Sequence, residues 1–322
     1  ARLSQARTRS AGRGGLAVAV AKIYFILVGF VQQIVFKAIL GLDGYGAIST
    51  ALSVSSITYN PITQASIQGV SREIAGVAED ERPLVLRRVL HVHALLAVSS
   101  SLIFFVAARP LAQLLGAPHI GGTLRILSSI LFLYGIYTPL VGALNGLRRF
   151  LSQAALDVLA ATLRTLGLLG GAYWGSRAIA QASGAGSATT GGTEGAAVGF
   201  TLAALVVLLV ALALTGVGKA GGNRPNSGHY LRFLGWLLVG QVLLNLLFQA
   251  DALLLRRFAA NAAASHGLPL EAADPLVGAY RAAQLFGFSP YQLLMSVTFV
   301  LFPLLAQARA EGDRERVRTY GS

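Results

Sequence analysis

The chain has 322 residues, 54% of them hydrophobic and only 12% charged, with a mean hydropathy of +0.64, a balance that excludes an ordinary water-soluble fold. Its net charge of +13 would point to nucleic acid in a soluble chain; in an apolar one it is a topology signal. No cysteine is present, which excludes disulfides and thiolate metal sites.

Apolar runs of about 20 residues, enough to cross roughly 30 Å of hydrocarbon, recur through the sequence. They cover 15–40, 45–70, 85–108, 122–144, 152–175, 195–217, 231–255 and 276–306. Eight spans predict an all-α, polytopic membrane helix bundle. The expected organisation is a six-helix lobe over 1–217, a linker at 218–230, and the first two helices of a second lobe with a charged amphipathic tail over 231–322. Seventeen of the 26 Lys and Arg residues flank the loops of one side, among them Arg72, Arg87, Arg148, Lys219 and Arg314. The positive-inside rule places that side, and both termini, in the cytoplasm. The chain lacks an initial Met and stops soon after the eighth span, so it is expected to be a piece of a longer protein.

The first span carries Lys22, Gly29, Gln33 and Lys37 along one helical stripe. Either the two lysines snorkel to opposite headgroup layers, or the stripe lines an aqueous cavity. GLDGYG at 41–46 reads as a tight turn. In the second span Asn60, Gln64, Gln68 and Ser71 recur at three or four residues, a polar face beside a bend expected at Pro61. His91 and His93 in the third span are expected at headgroup level, and 110–118 as a short interfacial helix between prolines.

The fifth span holds Asp157 and Arg164, two turns apart and too distant to pair, so Arg164 serves either an anion or a bond to another helix. Gly167, Gly171 and Gly175 form a ridge for close helix packing, and the Ser, Gly and Thr-rich stretch 182–195 is expected as a flexible connection. The seventh span carries Gln241, Asn245, Gln249 and Asp251, then Arg256 and Arg257 at its end. Asp251 is expected to be neutralised by Arg257, a bound Na⁺ or a proton. Arg281 lies one turn into the eighth span with Gln284 beside it. No G-x-S-x-G turn or H-E-x-x-H helix supports catalysis, and no cofactor is expected beyond a coupling Na⁺ or H⁺.

Residues 277–318 repeat the pattern of 46–85 at an offset of 232. Gly46/Gly278, Ala47/Ala279, Ala51/Ala283, Tyr59/Tyr291, Ala78/Ala310, Glu79/Glu311, Arg82/Arg314 and Val85/Val317 coincide without a gap. Arg281 thus corresponds to Ser49. Internal symmetry of this kind marks transporters built from repeated helix bundles.

FILVGFVQQIVFKAILGLDGYGAISTALSV, LRILSSILFLYGIYTPLVGALNGLRRF, LLFQADALLLRRF and AYRAAQLF with VLFPLLAQARAEGDRERV resemble the first two, fourth, seventh and eighth helices of the polysaccharide-biosynthesis flippases. These belong to the multidrug/oligosaccharidyl-lipid/polysaccharide exporter superfamily. The resemblance implies two six-helix lobes and alternating access, with a polyprenyl-pyrophosphate-linked glycan as cargo and membrane lipids and glycan-assembly proteins as partners. A pyrophosphate cannot enter hydrocarbon bare, which suits Lys22, Lys37, Arg164 and Arg281 to its charge. Gln33, Asn60, Gln64, Gln68, Asn245 and Gln249 are the candidates for sugar hydroxyls, and Asp251 for the coupling cation. A multidrug/cation antiporter of the same superfamily, or a non-transporting scaffold of glycan assembly, remains the alternative; the former would need more buried acids than these spans contain.

Overall fold

The computed structural model describes residues 2–183, 188–219 and 228–287, and within them every regular element is helical. The first hydrogen-bonded stretch, Arg2–Ala75, is broken at Gly41, whose φ of 70° and ψ of −175° belong to no helix. Helix α1 therefore covers 2–40 and α2 covers 42–75. They are followed by α3 (Arg82–Leu114), α4 (Gly121–Gly146), α5 (Phe150–Ser183), α6 (Ala188–Thr215), α7 (Gly228–Ser265) and α8, described over 274–287. Eight helices thus stand where the apolar runs predict eight. Six helical segments among the described residues are long and apolar enough to cross a membrane, the first being Ile23–Ala75, two helices in one. The continuation of α8 and the charged tail expected over 288–322 lie outside the described residues.

Two ends of the bundle can be told apart by what they bring together. Residues 41–46, the connection 115–120, the start of α6 and the segment 266–275 share one end, called here the Gly41 end. At the opposite, Gly146 end, Glu73 pairs with Arg88 at 3.1 Å, Arg149 donates to the Leu214 carbonyl at 2.9 Å, and the Lys219 amide donates to the Pro83 carbonyl at 3.0 Å.

α4 is the centre of the first six helices, with Leu124, Leu127, Ile130, Leu131, Leu140 and Leu144 fully enclosed. Around it Tyr59 of α2 meets Tyr134 of α4 and Phe200 of α6 edge-on, with ring centroids 5.7 and 6.4 Å apart. Edge-to-face contacts put the positive ring edge on a neighbour's negative face. Within lipid, burying apolar area drives little association, so close packing carries the assembly. α5 and α6 show how close: a Cβ on Gly167, Gly171 or Gly175 would fall 2.3, 2.0 or 2.3 Å from the carbonyl oxygens of Gly199, Gly195 and Gly191. The ridge seen in α5 thus meets a second ridge at the same four-residue spacing.

That second ridge corrects the expectation of a flexible connection at 182–195. Residues 188–195 are the first turns of α6, and their glycines serve backbone contact with α5 rather than mobility. The interfacial helix expected at 110–118 is likewise absent. α3 runs through Pro110 to Leu114, and a single 3₁₀ turn, Pro118–Ile120, leads into α4. A proline in a last turn removes one backbone donor at a point where the ladder is about to end.

Candidate functional site

α7 runs antiparallel to α2, and α8 starts beside the first turn of α2. Side chains from these three helices form a continuous polar cluster. Arg281 of α8 donates through Nη1 to Gln284 Oε1 at 2.5 Å, and through Nη2 to Gln249 Oε1 of α7 at 2.6 Å and to Ser53 Oγ of α2. Gln284 turns its amide the other way, donating from Nε2 to Asp251 Oδ2 at 2.7 Å. The same carboxylate oxygen accepts the Tyr280 hydroxyl at 2.6 Å, while Oδ1 accepts the Ala252 amide at 2.7 Å. The order is Ser53 and Gln249, Arg281, Gln284, Asp251, Tyr280. One amide dipole lies between cation and anion and is aligned with both.

Local geometry explains the convergence. Gln249 and Asp251 leave α7 about 200° apart, and Tyr280, Arg281 and Gln284, which fall within just over one turn of α8, reach both. Ser53 is 5% exposed and donates its own proton to the Ser49 carbonyl, leaving its lone pairs for Arg281. Further along, Asn60 Nδ2 donates to Asn245 Oδ1 at 3.1 Å, and Asn245 donates to the Gln241 carbonyl at 2.9 Å. α2 and α7 are thereby pinned at mid-length.

Of the residues expected to bind substrate, Asn60, Asn245, Gln249 and Arg281, with Asp251, line this α2–α7–α8 seam. Gln64 and Gln68 continue the Asn60 stripe and are exposed. Gln33 is half-buried on α1, one turn from Phe30, whose ring meets Phe286 of α8 at 6.2 Å. The buried amide of α1 is its neighbour Gln32, which accepts from Thr165 at 3.1 Å. Lys37 is exposed, and the Lys22 side chain lies outside the described residues.

Arg164 stands in another setting. Its guanidinium carbon lies 5.0 Å from the Phe200 ring centroid and 5.9 Å from that of Phe25, inside the first six helices. Tyr59 of α2 packs on Phe200, whereas Asn60 reaches α7, so Arg164 and the Arg281 cluster occupy different sides of α2. Among the described cations, Arg281 lies in the α2–α7–α8 seam, Arg164 within the first six helices, and Lys37 is exposed. Asp251 accepts hydrogen bonds from Tyr280 and Gln284, and Arg257 is exposed.

Sequence reasoning missed Ser53 and Tyr280, which carry no signal because serines and tyrosines on apolar helices usually satisfy themselves locally. It also placed His93 at headgroup level. His93 is fully buried, with Nδ1 3.2 Å from Ser66 Oγ and Nε2 2.6 Å from the Tyr230 hydroxyl of α7. Arg256, at the end of the seventh span beside Arg257, has no exposed side-chain area.

The fold has close counterparts. An outward-facing multidrug resistance MATE family transporter of the MOP superfamily superposes with a TM-score of 0.65 at 15% identity, over 97% of this chain and 67% of that one. A MOP superfamily transporter from Pyrococcus furiosus, described as having a binding pocket of reversed polarity, gives 0.64 at 16%, over 96% and 67%. The inward-facing form of a multidrug resistance MATE family transporter gives 0.62 at 16%, over 94% and 68%. No curated protein matches the chain. The polysaccharide biosynthesis protein family matches residues 11–309, nearly the whole sequence, and the chain belongs to that family as a multi-pass membrane protein.

Proposed function

We propose that the protein is a membrane transporter that moves a lipid-linked oligosaccharide or polysaccharide precursor across the cytoplasmic membrane by alternating access, with the α2–α7–α8 seam as its path. One observation carries this reading: among the described residues, no carboxylate pairs directly with Arg281. Its partners are neutral oxygens of Ser53, Gln249 and Gln284. A guanidinium held by neutral acceptors is oriented without being neutralised, and it can exchange them for the charge-assisted bonds of a pyrophosphate. Asn60, Asn245, Gln64 and Gln68 extend the seam with amides suited to sugar hydroxyls. The fold shared with MOP transporters and the family match support this reading. The charge asymmetry of the loops supports cytoplasmic termini and, with them, a cytoplasmic Gly146 end. Asp251, which accepts from Tyr280 and Gln284, is the group offered to a coupling Na⁺ or proton.

The test is glycan export by cells carrying Arg281→Ala or Arg281→Lys. Export lost in the alanine variant and largely restored in the lysine variant fits a charge role; export unchanged in both would remove the seam from the pathway. A multidrug/cation antiporter is favoured only by the exposure of Asp251. Protection of cells from cationic dyes, abolished in Asp251→Asn, would select it.

A further inference from the structure

The Gly41 end holds a second polar cluster that the Arg281 seam does not use. Buried Arg256 on α7 donates from Nη2 to the Gly116 carbonyl at 3.0 Å and from Nη1 to the Leu270 carbonyl at 3.1 Å, and its Nε lies 3.2 Å from Asp274 Oδ1. Asp274, only 3% exposed, presents its other oxygen to His119 Nε2 at 2.9 Å. His119 Nδ1 lies 3.5 Å from Glu271 Oε1. Gly116 and His119 belong to the α3–α4 connection, within the first six helices. Arg256, Leu270, Glu271 and Asp274 belong to α7 and its passage into α8. The cluster therefore bolts the last two helices to the first six, beside a recess of about 490 Å³.

We propose that this cluster is an inter-lobe clamp which His119 tightens when it takes up a proton. A neutral imidazole carries no charge to offer the two carboxylates beside its nitrogens, and among the described residues neither buried nitrogen has a hydrogen-bond partner as it stands. The imidazolium is drawn to Asp274 and Glu271 together, pairing a positive ring of the α3–α4 connection with two acids of the passage into α8. Facing it are Asp274 and Glu271, Asp43 across the recess and Glu194 of α6, whose carboxylate lies against Gly122. Opposing it are Arg256, Arg109 beside Gly121 and Arg257 near Gly116. Acid therefore closes this end, and loss of the proton frees Glu271 and loosens it. The device is independent of which cargo passes through the seam.

Because the chain has no cysteine, Gln113→Cys and Ser265→Cys place two spin labels on exposed positions at the ends of α3 and α7 without background. Distances are then measured by pulsed electron resonance on the full chain in liposomes at about pH 5 and about pH 8, the span over which an imidazole titrates. A single short distance at the lower pH, with a longer population added at the higher one, is the expected result. His119→Gln should lose the pH-dependent fraction. Glu271→Gln, at a half-exposed position that places the fold at no risk, should also lose it. The proposal is overturned if the distribution of the unsubstituted His119 protein does not change with pH. It is overturned equally by a longer population that grows on acidification, or by a pH response that persists in both variants.

Discussion

Gly46 and Gly278 each meet the backbone four residues before the other. A Cβ on Gly46 would lie 1.9 Å from the Asp274 carbonyl oxygen, and one on Gly278 would lie 2.3 Å from that of Leu42. The two glycines are 232 positions apart, and so are Leu42 and Asp274. A contact in which residue i meets j′ while j meets i′ is the mark of a two-fold relation, here between two halves of one chain. The offset read from eight scattered identities is thereby seen as a physical crossing of α2 on α8.

Alanine at either position must push the two helices apart, because the obstacle is a carbonyl and not a side chain that can rotate away. Gly46→Ala and Gly278→Ala are each expected to destabilise the protein by about 1–3 kcal/mol, with losses alike within a factor of two. Gly29→Ala, where nothing lies within 4 Å, should be neutral or stabilising by up to about 1 kcal/mol. Thermal unfolding in one detergent compares all three, and a tolerated Gly278→Ala would argue against the crossing.

The Asn60–Asn245 bond is the mid-length pin between α2 and α7. A double-mutant cycle with Asn60→Ala and Asn245→Ala should give a coupling of about 0.6 kcal/mol, the usual scale for an interhelical bond in a bilayer. Strict additivity of the two losses would mean that the amides do not meet.

Tyr230 closes the Gly146 end against His93. Ser66 spends its proton on the Ile62 carbonyl, so it can only accept from His93 Nδ1, which leaves His93 Nε2 as the acceptor for the tyrosine. Tyr230→Phe keeps the packing and deletes one donor, leaving a buried nitrogen unsatisfied at a cost of about 1–3 kcal/mol. Unfolding midpoints of the two proteins measure it, and His93→Leu combined with Tyr230→Phe should recover much of the loss because no orphan remains.

The apolar runs were legible because membrane helices need length and hydrophobicity whatever their neighbours, and α1 to α8 follow them. Gln249, Asp251 and Arg281 were legible for the same reason: polar groups are expensive in lipid and announce themselves. What depended on partners stayed hidden. Arg256 and His93 look like headgroup residues by position, and only the approach of the α3–α4 connection and of Tyr230 encloses them. Glycines 191 and 195 read as a loop until the ridge of α5 is laid against them. Arg164 was grouped with Arg281 by charge alone, but Phe25 and Phe200 hold it in the first six helices.

Gly41 is the single residue between two long helices, held at φ 70° and ψ −175°, a region that side-chain-bearing residues hardly enter. With no slack on either side, α1 and α2 meet at a pivot that sits next to Leu42. The Leu42 carbonyl is also the one against which Gly278 packs, so the break between the first two helices and the crossing with the eighth share one point of the chain.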